Sequence, residues 1–159
     1  MDLEQHIKHA LAEKETYIKW VKKAKKMNSR SLDNDFHSMH TAVFQKIDCL
    51  SCANCCKTTS PIFRDVDVRR LAKRLRLSES KFIDTYLKMD EEGDYVLKQS
   101  PCAFLGDDNY CSVYEDRPLA CREYPHTDRK NMYQILDLTR KNMEVCPAVS
   151  LIMQQLAQK

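Results

Sequence analysis

Apolar residues recur at three- and four-residue steps from the start of the chain, with Leu3, Ile7, Ala10, Leu11, Ile18, Val21 and Ala24 on one side of a helix over 3–27 that contains no glycine or proline. Lys14 interrupts that stripe, and Lys19, Lys22, Lys23, Lys25 and Lys26 mark the other side. A lysine-rich outer face is what an amphipathic helix shows to water, and it reads here as a solvated surface. Asn28, Ser29 and Ser31 offer caps, after which Leu32, Phe36, Met39, Val43, Phe44 and Ile47 predict a second helix. The two form an N-terminal helical hairpin over 1–47, a rigid support for whatever follows it.

Beyond residue 47 the periods shorten. Asp65 is a candidate cap for a helix through about Arg76, and Ser78 for a shorter one with Phe82, Ile83, Tyr86 and Leu87 facing inward. Asp94 to Lys98 alternates weakly, as a strand does. Gly106-Asp107-Asp108-Asn109 is a turn signal between Phe104-Leu105 and Tyr110–Tyr114, predicting a small β-hairpin with Cys102 and Cys111 on its arms. Pro118–Tyr124 suits a short helix stopped by Pro125, 133–138 a strand or a helix, and Pro147 opens a terminal helix through Leu156. The expected fold is mainly α with a small β-hairpin. It is a single domain in which the hairpin of 1–47 supports an irregular cysteine-rich region over 48–147, followed by a C-terminal helix over 148–159.

Composition sharpens this picture. At 159 residues, with 43% hydrophobic and 31% charged positions, the chain is long enough for a proper core. Only two glycines occur, too few for the tight turns of a sandwich or barrel. A net charge of +3 gives no electrostatic case for nucleic acid. The acidic start lacks the features of a secretory signal, and no apolar run approaches the ~20 residues needed to cross a bilayer. The expected address is cytoplasmic, with no membrane contact. In a reducing compartment, eight cysteines point to metal or redox work rather than to disulfides.

Cys49-x-x-Cys52-x-x-Cys55-Cys56 is followed at wide intervals by Cys102, Cys111, Cys121 and Cys146, and all eight are candidate metal ligands. Thiolates two residues apart converge on one centre when a tight loop turns them inward. The triple step matches the way bacterial ferredoxins hold three corners of a four-iron cluster, whose remote ligand often precedes proline, as Cys146 precedes Pro147. Zinc accepts any four well-placed thiolates, and cuprous copper is a less favoured third choice. Eight thiolates suffice for two four-ligand centres or for one with cysteines to spare.

Arg117 and Arg122 lie beside Cys121 and read two ways: as cofactor-binding cations that stabilise thiolates or an anion, or as ion-pair partners of Glu115, Asp116 or Glu123. Tyr114 and Tyr124 read as packing that excludes water. His126 is a candidate substitute ligand, whereas His37, His40, His6 and His9 read as polar helix positions. With no phosphate loop, zinc-protease helix or nucleophile elbow, no catalytic residue is assigned.

Taken with Cys102-Ala103-Phe104-Leu105, Cys111-Ser112-Val113-Tyr114 and Arg117-Pro118-Leu119-Ala120-Cys121-Arg122-Glu123-Tyr124-Pro125, the cysteine run resembles the CxxCxxCC family of zinc- or iron-chelating proteins over about 47–147. Ala53 departs from it where many relatives have glycine, a difference that disfavours positive φ. The resemblance implies a protein that holds an iron-sulfur cluster or zinc through cysteine thiolates, in redox, metal-handling or accessory work. One branch resembles flagellin lysine N-methylases, so a metal-dependent enzyme acting on protein side chains is an alternative. Another is a structural zinc module that presents its lysine-rich helix to a protein partner.

Overall fold

A computed structural model of the protein describes residues 2–159. In chain order the helices are α1 (Leu3–Ala12), α2 (Lys14–Ala24), α3 (Ser29–Phe44), single turns α4 (Cys49–Cys52) and α5 (Asn54–Thr58), α6 (Asp65–Leu75), α7 (Glu79–Tyr86), α8 (Leu119–Glu123), α9 (Leu136–Asn142) and α10 (Pro147–Ala157). Two strands, β1 (Leu87–Met89) and β2 (Tyr95–Leu97), follow α7. The chain divides into two compact units, Met1–Cys52 with Pro125–Lys159 and, inserted between these segments, Ala53–Tyr124.

The discontinuous unit is built on α10. Val149, Ile152 and Met153 are fully buried among Leu32, Phe36, Val21 and Met132, and α10 packs on α1, α2, α3 and α9. Pro147 starts it with φ already set for a helix. Ser150 Oγ donates to the His6 carbonyl at 2.6 Å. The expected long first helix breaks at Glu13, whose ψ of 25° starts α2 in a new direction. A continuous helix would have carried Lys14 on its apolar stripe; the break leaves Lys14 in solvent and lets His9 bond the Tyr17 hydroxyl at 2.7 Å. Leu11, expected inside, is 55% exposed. Asn28 caps α3 by accepting from the Ser31 N–H at 3.0 Å. Trp20 meets Phe36 edge to face across α2 and α3, their centroids 6.4 Å apart. His37 and His40 bond the Arg129 carbonyl and the Thr127 hydroxyl, tying α3 to the segment after Pro125.

The inserted unit centres on Phe82, whose ring meets Tyr86, Phe63 and Phe104, with Val68, Leu71, Leu87, Leu97 and Val113 around it. The regular β-hairpin lies at 87–97, with Leu87 opposite Leu97 and Met89 opposite Tyr95. Leu87 therefore begins a strand rather than ending α7. The expected hairpin around Gly106 closes with one bridge, Leu105 to Cys111. Arg64, not Asp65, is the N-cap of α6. Its N–H and Nε both donate to Asp67 Oδ2, at 2.9 and 3.0 Å.

Asp67 is fully buried and also accepts from Arg70 Nη2 at 2.9 Å and from the Leu119 N–H at 3.2 Å. Burial opposes its charge, but the bonds from Arg64, Arg70 and Leu119 outweigh it and bring the carboxyl down to about 2. A depressed folded-state pKa adds stability that is complete above the unfolded value near 4 and is lost as pH falls toward about 2. Asp67→Asn should cost about 2 kcal/mol at neutral pH and flatten the acid limb of the stability profile. Urea unfolding of both proteins between pH 2 and 7 measures this; parallel profiles would contradict it.

Candidate metal centre

Four cysteines of the inserted unit come from separate pieces of chain. Cys56 sits on α5, and its carbonyl accepts from the Cys102 N–H at 2.8 Å, which fixes the two residues side by side. The Cys102 carbonyl accepts from the Leu105 N–H at 3.1 Å, and the turn that follows is clamped by Gly106 N–H to Tyr110 O and Ser112 N–H to Phe104 O, both 2.8 Å. A Cβ at Gly106 would stand 2.8 Å from Asp108 Oδ1 and 3.3 Å from Tyr110 O, so any side chain there would have to displace the Asp108 carboxylate and loosen the turn slightly. It returns the chain so that Cys111 comes back beside Leu105. Cys102 and Cys111 both pack against the Phe82 core. Cys121 lies on α8, its N–H bonded to the Pro118 carbonyl at 3.0 Å.

A side of α6 that carries no cysteine holds this loop in place. Arg70 donates to the carbonyls of Asp116 at 3.3 Å and Arg117 at 2.7 Å. Arg74 donates to Asp116 Oδ2 at 2.9 Å and to the Ser112 carbonyl at 3.1 Å. With Asp67 on the Leu119 N–H, three side chains of one helix fix the segment between Cys111 and Cys121.

The electrostatics show how crowded the sulfurs are. Burial first, then the charges of Cys56, Cys102 and Cys111, push the Cys121 thiol up to about 12, against the pull of Arg117. Burial raises Cys102 and Cys111 as well, each with Cys56 as a charged neighbour. Cys56 is raised chiefly by its hydrogen bond with Cys55, then by burial, with Arg117 again opposing. Protonated, these thiols are stable together; as thiolates they need a cation.

A second group forms in the discontinuous unit. Cys146 is the N-cap of α10 and packs against the core of that unit. Burial pushes its thiol up to about 11, the backbone N–H groups of Val149 and Ala148 oppose this, and the charges of Cys49 and Cys52 add to it. Cys49 is exposed and Cys52 half-buried. Cys55, next to Cys56 on α5, belongs to the inserted unit. None of the eight cysteines is in a disulfide.

Ala53 adopts the left-handed conformation, with φ 49° and ψ 15°, so the alanine accepts the geometry that a glycine would take at less cost. The Arg117 guanidinium lies 3.7 Å over the Tyr114 ring, and its Nε donates to the Tyr114 carbonyl at 2.9 Å. Arg122 donates to the Glu115 carbonyl at 2.9 Å. Both arginines thus bond backbone carbonyls, whereas Asp116, one of the carboxylates expected to pair with them, is held by Arg70 and Arg74. Tyr114 is exposed beneath Arg117 and Tyr124 half-buried. His126 belongs to the discontinuous unit and Cys121 to the inserted one.

Asp67, Arg70 and Arg74 carry no cysteine motif, and sequence reading missed them. Their signal was a carboxylate on the buried stripe of α6 beside Val68 and Leu71, with arginines three and seven residues on. Asp90, Glu92 and Asp94 also draw together, in the β1–β2 turn. There Asp90 Oδ1 accepts from the N–H groups of Glu92 and Asp94, both at 2.9 Å.

An all-sulfur donor set suits zinc, iron or an iron-sulfur core and not magnesium or calcium, which take oxygen ligands. Four sulfurs at ~2.3 Å from one zinc ion stand ~3.8 Å apart. Among the described residues no three ligand atoms of cysteine lie within 4.8 Å of one another, so the thiols must draw together to hold a single ion.

These features define a cysteine-rich metal-binding protein. The family model CxxCxxCC, described as a putative zinc- or iron-chelating domain, matches residues 48–147, and the chain belongs to that family. No curated protein and no solved structure matches the chain. Among the described residues no helix is long and apolar enough to cross a membrane.

Arg70→Ala should weaken metal binding by about 10- to 100-fold, because it frees the segment that sets Cys121 against Cys111. Chelator competition measures it. An unchanged affinity would show that α6 is not part of the support.

Proposed function

We propose that this chain holds an iron-sulfur cluster through cysteine thiolates and serves in electron transfer, metal handling or as an accessory to a metal-dependent reaction. The observation that carries this reading is that Cys56, Cys102, Cys111 and Cys121 come into one unit from four separate pieces of chain, with the Cys102 N–H on the Cys56 carbonyl and Cys111 bridged to Leu105. The four half-buried thiols have raised pKa values and favour their neutral forms until a positive centre is bound, and soft sulfur donors select iron or zinc. The iron-sulfur form is favoured by Cys49-x-x-Cys52 with Cys146-Pro147, and Cys146 has Cys49 and Cys52 as its charged neighbours. A reducing compartment such as the cytoplasm fits eight cysteines kept as thiols.

In this reading Arg117 offsets the negative charge of the loaded thiolates, a role supported by its pull on Cys56, Cys111 and Cys121. Arg122, bonded to the Glu115 carbonyl, keeps the same loop closed. Each thiol that takes metal gives up a proton.

Anaerobic purification should yield brown protein containing iron and acid-labile sulfide. Colourless protein with stoichiometric zinc would replace the cluster with a zinc site, and protein without bound metal would end the proposal. Arg117→Ala should lower the reduction potential of the cluster, since removing a nearby positive charge disfavours the more negative reduced state. Film voltammetry reads that shift, and a higher potential would refute the assigned role. Affinity for zinc should fall by about one decade per pH unit for each thiol displaced, as acid competes for the sulfurs. Titrations at three pH values test this against a flat profile.

A further inference from the structure

Resting on that reading of the cysteines as ligands, we infer that the chain carries two separately loaded metal centres, one on Cys56, Cys102, Cys111 and Cys121 and a second on Cys49, Cys52 and Cys146. The two sets differ in which core supports them. Cys102 and Cys111 pack against the Phe82 cluster of the inserted unit. Cys146 packs against the core formed by α3 and α10 in the other unit, which also supplies Cys49 and Cys52.

The second set follows from the way α3 and α10 pack. At its C-terminal end the chain of α10 reaches the first half of α3, where Lys159 Nζ lies 3.4 Å from Asp35 Oδ1. The two helices run antiparallel: nine residues lead from Asp35 to the end of α3 at Phe44, with Ile47 just beyond it, and twelve lead back from Lys159 to Pro147 at the start of α10. Cys146 is thereby set beside the turn that begins at Cys49. Val43, Ile47, Ala148 and Val149 lie in the one buried cluster, as this register requires. Within α4, Cys49 and Cys52 are three residues apart on a helical turn and share a face. Cys146 is the N-cap of α10 and so stands at the positive end of an 11-residue helix.

The ligand class is a thiophilic metal, either a single ion or an iron-sulfur core. On loading, each thiol loses its proton to solvent and forms one sulfur–metal bond, with no change of oxidation state required. Because each set closes on its own core, emptying one leaves the other able to bind.

Anaerobic titration of the reduced full chain with cobalt(II), followed by thiolate-to-cobalt charge-transfer absorption, tests this. Wild type should take up about two equivalents per chain, and C49A/C52A and C102A/C111A about one each, with helical circular dichroism retained. Cys146→Ser and Cys111→Ser repeat the comparison with near-isosteric single changes should a double variant not fold. A wild type that saturates at about one equivalent, a C49A/C52A variant that still binds two, or either pair abolishing all uptake would overturn the two-centre inference while leaving metal binding intact. No uptake by the wild type would instead overturn the reading of the cysteines as ligands.

Discussion

Several sulfur atoms cannot be ionised close together inside a protein unless something positive lies among them. Cys121 is the sharpest case: partial burial first, then three neighbouring cysteines, push its thiol up to about 12, well above the ordinary thiol value. Desolvation and like charge act in the same direction, and Arg117 offsets only part of them. Left alone the thiols stay protonated, so metal loading and the charge state of the cysteines are one equilibrium. Much of the inserted unit can be read as a device for enforcing that crowding.

The device is a helix and a set of carbonyls. Asp67 is itself a buried charge and stands only because two arginines and two backbone N–H groups surround it. Arg70, with its other donors, and Arg74 then hold the backbone of 112–117 and the Asp116 carboxylate rather than any ligand. The loop bearing Cys111 and Cys121 is thus fixed by side chains whose own positions are fixed by the α6 backbone. Planar guanidinium groups suit this task because each spans more than one acceptor with little freedom to lose.

Legibility in the sequence followed the strength of the local signal. The cap at Asn28, the cap at Ser78 and the proline opening α10 sit where side-chain chemistry alone placed them. The break at Glu13 was not legible as a break, because Lys14 interrupts the stripe by one residue and nothing local decides whether the helix bends or tolerates it. Of the ladder at 87–97, the weak alternation of 94–98 marked the second strand, but three residues were too few to show the first, which read as the end of a helix, while Gly106 to Asn109 advertised a turn whose arms are too irregular for more than one bridge. At the site, spacing named the cysteines but not their company. That Cys146 keeps company with Cys49 and Cys52 depends on the antiparallel packing of α3 and α10, a contact between segments about a hundred residues apart that no local pattern encodes. The αL conformation of Ala53 shows the same limit, since propensity argued against a backbone state that the surrounding fold imposes.

The interrupted course of one unit also orders events during synthesis. Residues 53–124 leave the ribosome before α9 and α10 exist, so the Phe82 core with Cys56, Cys102, Cys111 and Cys121 can close while α1, α2 and α3 still lack the helix that buries their apolar faces. The nascent chain therefore exposes Leu32, Phe36 and Val21 until Pro147–Ala157 emerges. Cys49 and Cys52 likewise have no Cys146 beside them until α10 emerges.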